Sequence, residues 1–278
     1  MATVGRESVS VTSAAGAAAS DALAHLGGLA LFAARTLAWV VRRRPTPGTF
    51  LPICNDIGLR SIPVVAITGL FIGMVLAVQS YGQFHQMGMA THLGAIINMS
   101  VVRELGPVLA ATMLAGRVGS AMAAELGTMR ISEQIDALDC LGVNSVHHLV
   151  VPRFLACVLL IPVLTIFANF MGVMGGALVC IEVYHIEGYH YWENTHGFIT
   201  MWDLITGLIK PMFFGAAIAL ISCQRGFNSK PGAEGVGRAA TESFVYSFIA
   251  ILALDFFLAL FLNNLYDAIW SGPGPRLM

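Results

Sequence analysis

The twenty residues IPVVAITGLFIGMVLAVQSY, Ile62–Tyr81, carry no charged side chain. A helix of that length rises about 30 Å, the thickness of a bilayer's hydrocarbon core. Hydrocarbon offers no water to a peptide group, so such a run must satisfy its own backbone, as a helix does. Four more runs follow, at about Leu93–Ala124, Phe154–Ile181, Leu204–Cys223 and Phe244–Leu265. The second and third are long enough to tilt or to continue beyond the bilayer. Composition agrees: 56% of residues are hydrophobic and 11% charged, against about a quarter charged in a soluble domain. The expected fold is an all-α integral membrane protein with five transmembrane helices. Gly69 and Gly73 in the first span, and Gly172 and Gly176 in the third, have the small-xxx-small spacing that lets helices approach closely. The third span contains Pro162, and Lys210-Pro211 is expected to break the fourth.

Residues 1–20 lack the continuous apolar core of a secretory signal and read as a disordered tail. Between 21 and 60 come a helix and a linker. Residues 23–41 are apolar but carry His25 and Arg35 and end at Arg42, Arg43 and Arg44. Two readings compete, a short span or a helix lying in the interface, and the internal Arg35 favours the second. The five-span domain covers 61–270, with a C-terminal tail at 271–278. Basic residues are retained on the cytoplasmic side, and here they cluster before the first span, around residues 117–153 and between spans four and five. Loops 82–92 and 182–203 contain neither Lys nor Arg. The expected orientation puts the N-terminus in the cytoplasm and the C-terminus outside.

The stretch Val101–Asn144 starts in an apolar run and ends in something soluble. Ile131, Ile135 and Leu138 fall at i, i+4 and i+7, with Arg130, Glu133, Gln134, Asp136 and Asp139 around them. That pattern is a short amphipathic helix at about 127–141. Thr128 is its expected N-cap and Gly142 its C′ glycine. A polar helix hanging from a span offers a docking surface.

Arg103, Glu104, Lys210 and Asp255 interrupt the spans. Mid-membrane charges cost several kcal/mol and usually face a bundle interior or an aqueous cavity. Two roles stay open and compatible: pairing that holds helices together, or lining of a transport path. Adjacent Arg103 and Glu104 point about 100° apart on a helix, so they need different neighbours, and Lys210 and Asp255 supply the opposite charges.

Other chemistry is poorly supported. The outer loop holds Glu182, His185, Glu187, His190, Glu193 and His196, but their spacing matches no helical zinc pattern. The five cysteines show no paired spacing. There is no basic face for nucleic acid, no G-x-S-x-G, and neither lysine sits in a Walker A loop, so the chain is no P-loop ATPase. Three classes survive: the permease half of an ATP-driven transporter, a proton-coupled secondary transporter of a hydrophobic substrate using Glu104 or Asp255, and a membrane enzyme. The missing internal repeat counts against the second.

The blocks FIGMVLAVQSY (71–81), VRELGPVLAATMLAGRVGSAMAAELGTMRISEQIDAL (102–138), PRF (152–154) and GVGRAATESFVYSFIAILALDF (235–256) resemble the MlaE-like (YrbE) permeases. These are the membrane subunits of lipid ABC transporters that work with MCE-domain proteins. The resemblance runs from about residue 50 to 265. It implies a non-enzymatic homodimer of five-span subunits in the bacterial inner membrane, an N-terminal interfacial helix, and a coupling helix docked on a cytoplasmic ATPase that binds ATP and magnesium. No cofactor is implied in this chain. The implied cargo is phospholipid, exchanged with a singly anchored MCE-domain partner in the upkeep of outer-membrane lipid asymmetry, with room for a small cytoplasmic accessory subunit. Arg103, Glu104, Lys210 and Asp255 would be the family's intramembrane charges, with Tyr81 beside the path and a polar position matching Glu104 near the lipid pocket between subunits. Glu125, Arg130, Glu133 and Asp136 would serve the coupling helix.

Charge placement makes a topological prediction. In a background without native cysteines, a cysteine at Asn194 should react with an impermeant thiol reagent in intact cells, and one at Ser229 should not. The reverse labelling would invert the chain.

Overall fold

The computed structural model describes residues 20, 23–24, 27–42, 47–88, 93–198 and 200–269. The expected tails, residue 20 apart, lie outside that set. Its helices are α1 (27–42), α2 (Pro47–Ile57), α3 (Ile62–Gln86), α4 (Leu93–Ile131), α5 (Gln134–Cys140), α6 (Val146–Val183), α7 (Gly188–Phe198), α8 (Met201–Phe227) and α9 (Ala233–Ile269). Five helical stretches are long and apolar enough to cross a membrane: Gly48–Gln86, which joins α2 to α3, then α4, α6, α8 and most of α9. The protein is an all-α membrane fold.

The most buried span, α6, lies at the centre. Its Ile161, Leu164 and Ala168 join Leu114 and Val118 of α4, Phe214 and Ile218 of α8 and Ile251 of α9 in the main core. Lipid is as apolar as leucine, so burial alone does not drive spans together, and backbone proximity has to supply the contact. The α3–α6 seam does this with glycine. A Cβ on Gly69 would lie 2.4 Å from the Ala168 carbonyl oxygen, and one on Gly73 only 1.8 Å from that of Gly172. Both small-residue pairs read from the sequence therefore meet along one seam.

Three local expectations need correction. Lys210-Pro211 does not break the fourth span, because α8 runs unbroken from Met201 to Phe227; a single missing N–H is tolerated inside a packed membrane helix. The 182–203 segment is not merely a polar loop, since it contains α7. Among its residues whose burial is described, Tyr191 and Thr195, at i and i+4, are the buried ones, too short a stripe to stand out in sequence. Tyr191 donates to Asn98 Oδ1 at 3.3 Å, and Asn98 Nδ2 donates to Thr195 Oγ1 at 3.1 Å. Burial pushes the pKa of the Tyr191 hydroxyl up, which keeps it a neutral donor.

The third correction is at the amphipathic helix. Thr128 is not an N-cap; it lies within α4, and its hydroxyl donates to the Ala124 carbonyl at 2.9 Å. The preceding span continues through Ile131, and the chain then turns at Glu133, which has φ 58°. The helix proper is α5. Gly142, with φ 75°, ends it as expected. Ile135 packs with Leu126, Leu149, Val150 and Cys223, and Leu138 leans on that cluster, whereas Ile131 is 38% exposed.

At the same end of the bundle α1 reaches two helix termini. Phe32 meets Phe227 at the end of α8, with ring centroids 5.9 Å apart, and Trp39 meets His147 at the start of α6 at 5.5 Å.

Gly73→Leu should separate α3 from α6 and cost about 3 kcal/mol or more, read as a lowered melting temperature in detergent. Gly82→Ala, where a Cβ meets nothing within 4 Å, should leave the melt unchanged. Equal behaviour of the two variants would refute the glycine seam.

Candidate functional site: a chain of charges inside the spans

Arg103 and Glu104 sit in a π-helical turn, Val101–Leu105, inside α4. Such a turn adds a residue to the helical repeat, re-aims its side chains, and is common at functional sites. A second one, Ala115–Gly119, holds Arg117, which donates to the Ser61 hydroxyl and, at 3.4 Å, to the Asp56 carbonyl, tying α4 to the α2–α3 junction. No π-turn was legible in the sequence, although both fall in the ordered VRELGP and AGRVGS blocks.

Glu104 Oε2 accepts from Lys210 Nζ of α8. The same ammonium lies 3.0 Å from Asp255 Oδ1 of α9. That oxygen makes no aligned hydrogen bond, so its contact with Lys210 is electrostatic. Arg103 behaves differently from its neighbour, as the sequence required. Its guanidinium is 3.4 Å from Asp203 Oδ1 of α8 and donates to Asn263 Oδ1 of α9, while its Nε stays 3.7 Å from Glu104 Oε1. The result is an alternating chain, Asp203, Arg103, Glu104, Lys210, Asp255, drawn from three helices.

Burial is uneven along it. The Lys210 side chain is 2% exposed and that of Asp203 6%, against 23% for Asp255 and 40% for Glu104. A buried ammonium is tolerable only when paired, and Lys210 is held between two carboxylates. Glu104 is the most exposed member.

Asp203 was not among the sequence candidates. It caps α8: its Oδ2 accepts from the Thr200 backbone N–H at 3.0 Å and hydroxyl at 2.7 Å. The T-x-x-D spelling at 200–203 signals such a cap, but nothing local announces its second partner. Tyr81 does not join the charges. It stacks on Tyr184, with centroids 3.6 Å apart, and on His85 at 5.2 Å.

The coupling-helix residues also divide. Glu125 lies on α4, where it pairs at 2.8 Å with Arg153 of α6; it is not part of α5. Arg130 closes α4 and pairs with Asp136 across the turn. Glu133 forms the turn itself. Between them α5, α4 and α6 line a shallow apolar hollow of about 270 Å³ that includes Met129, Leu138, Leu141 and Leu149, and Leu141 is 78% exposed.

Lys210→Met leaves Glu104 and Asp255 facing each other without their cation, a loss of about 3–5 kcal/mol for a broken buried pair. Glu104→Gln removes only the most exposed member. The melting temperature should therefore fall much further for Lys210→Met than for Glu104→Gln, and the opposite order would show that Glu104 is the structural residue.

Comparison with known proteins agrees with the resemblance. A family model described as Permease MlaE matches residues 50–261. A probable ABC transporter permease protein of Synechocystis is 41% identical over 205 residues, 74% of this chain and 78% of its own length. The intermembrane phospholipid transport system permease protein MlaE of Haemophilus influenzae is 36% identical over 203 residues, 73% of this chain and 78% of its own. A chloroplastic protein of Arabidopsis thaliana, trigalactosyldiacylglycerol 1, is 37% identical over 204 residues, 58% of its own length. With 212 residues of family match, 50 through 261, across all five spans, the chain belongs to the MlaE permease family.

Proposed function

We propose that the chain is the permease subunit of an ABC-type phospholipid transporter. It works as a homodimer in a bacterial inner membrane, with its N-terminus and α5 in the cytoplasm and its C-terminus in the periplasm, and α1 lies in the cytoplasmic interface. Lipid passes between that membrane and an MCE-domain partner, powered by a separate ATPase that binds ATP and magnesium. The assembly leaves room for a small cytoplasmic accessory subunit. Family membership and the names of the Haemophilus and Synechocystis relatives support the class.

The observation that carries the reading is the charge chain with one markedly exposed member at its centre. Lys210 is fixed by two acids, while Glu104 presents a half-exposed carboxylate at mid-span. A polar lipid headgroup crossing hydrocarbon needs such a partner, because an unpaired polar group there costs several kcal/mol. Arg103 and Asp203 hold the π-turn that aims Glu104. Neither Lys210 nor Lys230 has phosphate-loop surroundings, so the energy comes from outside the chain. Motion enters through α5: Ile135 and Leu138 root it in the bundle, and Leu141 and Glu133 face the ATPase.

A proton-coupled transporter is the second reading. Three carboxylates against two bases in the chain leave one acid without a cation of its own, as a proton carrier would have. The energy source separates the two readings.

The test uses the permease co-purified with its ATPase and MCE-domain partner and reconstituted in liposomes. Glu104→Gln should reduce ATP-dependent lipid transfer at least tenfold with an unchanged melting temperature, whereas Asp255→Asn should lower both. Glu133→Lys should weaken recovery of the ATPase, since like-charge contacts at an interface cost several kcal/mol. Lipid transfer driven by a proton gradient without ATP would transfer the case to the second reading, and ATP hydrolysis by the isolated permease would end the first.

A further inference from the structure

A second charged site lies on the same two helices, far from the first. Where α8 ends and α9 begins, a cavity of about 370 Å³ is lined by Gln224, Arg225, Lys230, Arg238, Glu242 and Tyr246 among others. Counting along α8 from Lys210 to Arg225 gives about 22 Å, and along α9 from Asp255 to Glu242 about 20 Å, at 1.5 Å per residue. With Lys210 inside the apolar span, that offset brings the cavity to the headgroup layer at the basic end of the bundle.

Its electrostatics are unbalanced. Arg225 Nη1 donates to Glu242 Oε2 at 3.2 Å and Arg238 Nε to Glu242 Oε1 at 2.8 Å, so one carboxylate serves two guanidiniums. Arg225 also lies over the Tyr246 ring, 4.2 Å from its centroid, and its buried Nε has no hydrogen-bond partner. Lys230 makes no ion pair among the described residues. Glu234, in the first turn of α9, interacts with Arg238 without lining the cavity. Three cations thus face one carboxylate.

Beyond the cavity the same stripe of α9 turns apolar. After Glu242 and Tyr246, helical spacing brings Ile249 and Phe256 onto that face, and they are 56% and 61% exposed. A cationic pocket continued by an exposed apolar track matches an anionic headgroup with its acyl chains; an acidic side chain or a free anion would use the pocket and leave the track empty. Tyrosine at the junction is the usual interfacial residue.

We propose that this cavity binds the headgroup phosphate of an anionic phospholipid from the leaflet at the basic end of the bundle, with its acyl chains along Ile249 and Phe256. Arg225 and Lys230 hold the phosphate, Arg238 adds long-range attraction, and Glu242 orders the two guanidiniums. The site depends on the chain being in a bilayer and not on the transport reading.

The experiment is native mass spectrometry and thermal melting of the full-length permease in detergent, titrated with dioleoyl phosphatidylglycerol, dioleoyl phosphatidylcholine or inorganic phosphate. A basic residue near an anionic membrane surface is worth about fivefold in affinity. The K230Q/R238Q variant, altered at two exposed positions, should therefore bind phosphatidylglycerol roughly 25-fold more weakly than the parent, and K230Q alone about fivefold. The parent should prefer phosphatidylglycerol to phosphatidylcholine, and phosphate at the same concentration should neither bind nor protect. E104Q should retain the phosphatidylglycerol adduct, which separates this site from the mid-span charges. Undiminished binding in both variants, no preference over phosphatidylcholine, protection by phosphate alone, or loss of the adduct in E104Q would each overturn the assignment.

Discussion

The ammonium of Lys210 is the group around which the spans of this protein must close. Its side chain is 2% exposed within an apolar bundle, where a lone charge is unsustainable. Glu104 from α4 and Asp255 from α9 neutralise it from two sides. The consecutive helices α8 and α9 and the distant α4 are thereby pinned at one depth. Leucines sliding over one another in lipid would not fix their register, because hydrocarbon solvates either arrangement equally. A buried ion pair that cannot be left unpaired does.

The α3–α6 contact solves the same problem without charge. Gly69 and Gly73 let the α3 backbone rest against Ala168 and Gly172 of α6, replacing directional attraction with close van der Waals contact. The glycine seam joins α3 to the central helix with no side chain between the backbones at Gly69 and Gly73. Between α4 and α8, glycine contacts at Gly207 and Gly226 are joined by long charged side chains whose pairings can be exchanged, and Glu104 among them is 40% exposed.

What could be read from the sequence follows from the range of each signal. The spans, the glycine pairs and the Gly142 stop were legible because hydropathy, spacing and a left-handed C′ position are local properties. The intramembrane charges were legible because they break an apolar run, and the opposite signs implied pairing. Asp203 stayed hidden because a T-x-x-D cap explains it fully until Arg103 arrives from a hundred residues away. The π-turns were invisible because one extra residue per turn leaves apolar composition unchanged. The start of the amphipathic helix was misjudged for a related reason. Apolar spacing ran unbroken through Ile131 and Ile135, and only the left-handed backbone of Glu133, a residue with no special preference for it, separates α4 from α5.

That turn bears on how force could cross the membrane. Arg130 closes α4 and bonds Asp136 of α5 over the bend, and Glu125, less than two turns earlier on α4, grips the buried Arg153 of α6. A push on α5 is therefore passed to α4 and α6 together. Through α4 it reaches Arg117 and then the π-turn with Arg103 and Glu104; through the cluster of Ile135, Leu126 and Cys223 it also reaches α8, which carries Lys210. Both partners of the central ion pair are thus mechanically continuous with α5, whereas α3 is coupled mainly through its glycines to α6. A displacement of α4 relative to α8 by a fraction of a turn would lengthen the Glu104–Lys210 contact and leave Lys210 to Asp255, keeping the ammonium paired while freeing Glu104. The arrangement of two acids on one base is what makes such an exchange affordable in hydrocarbon, and a single acid would not permit it.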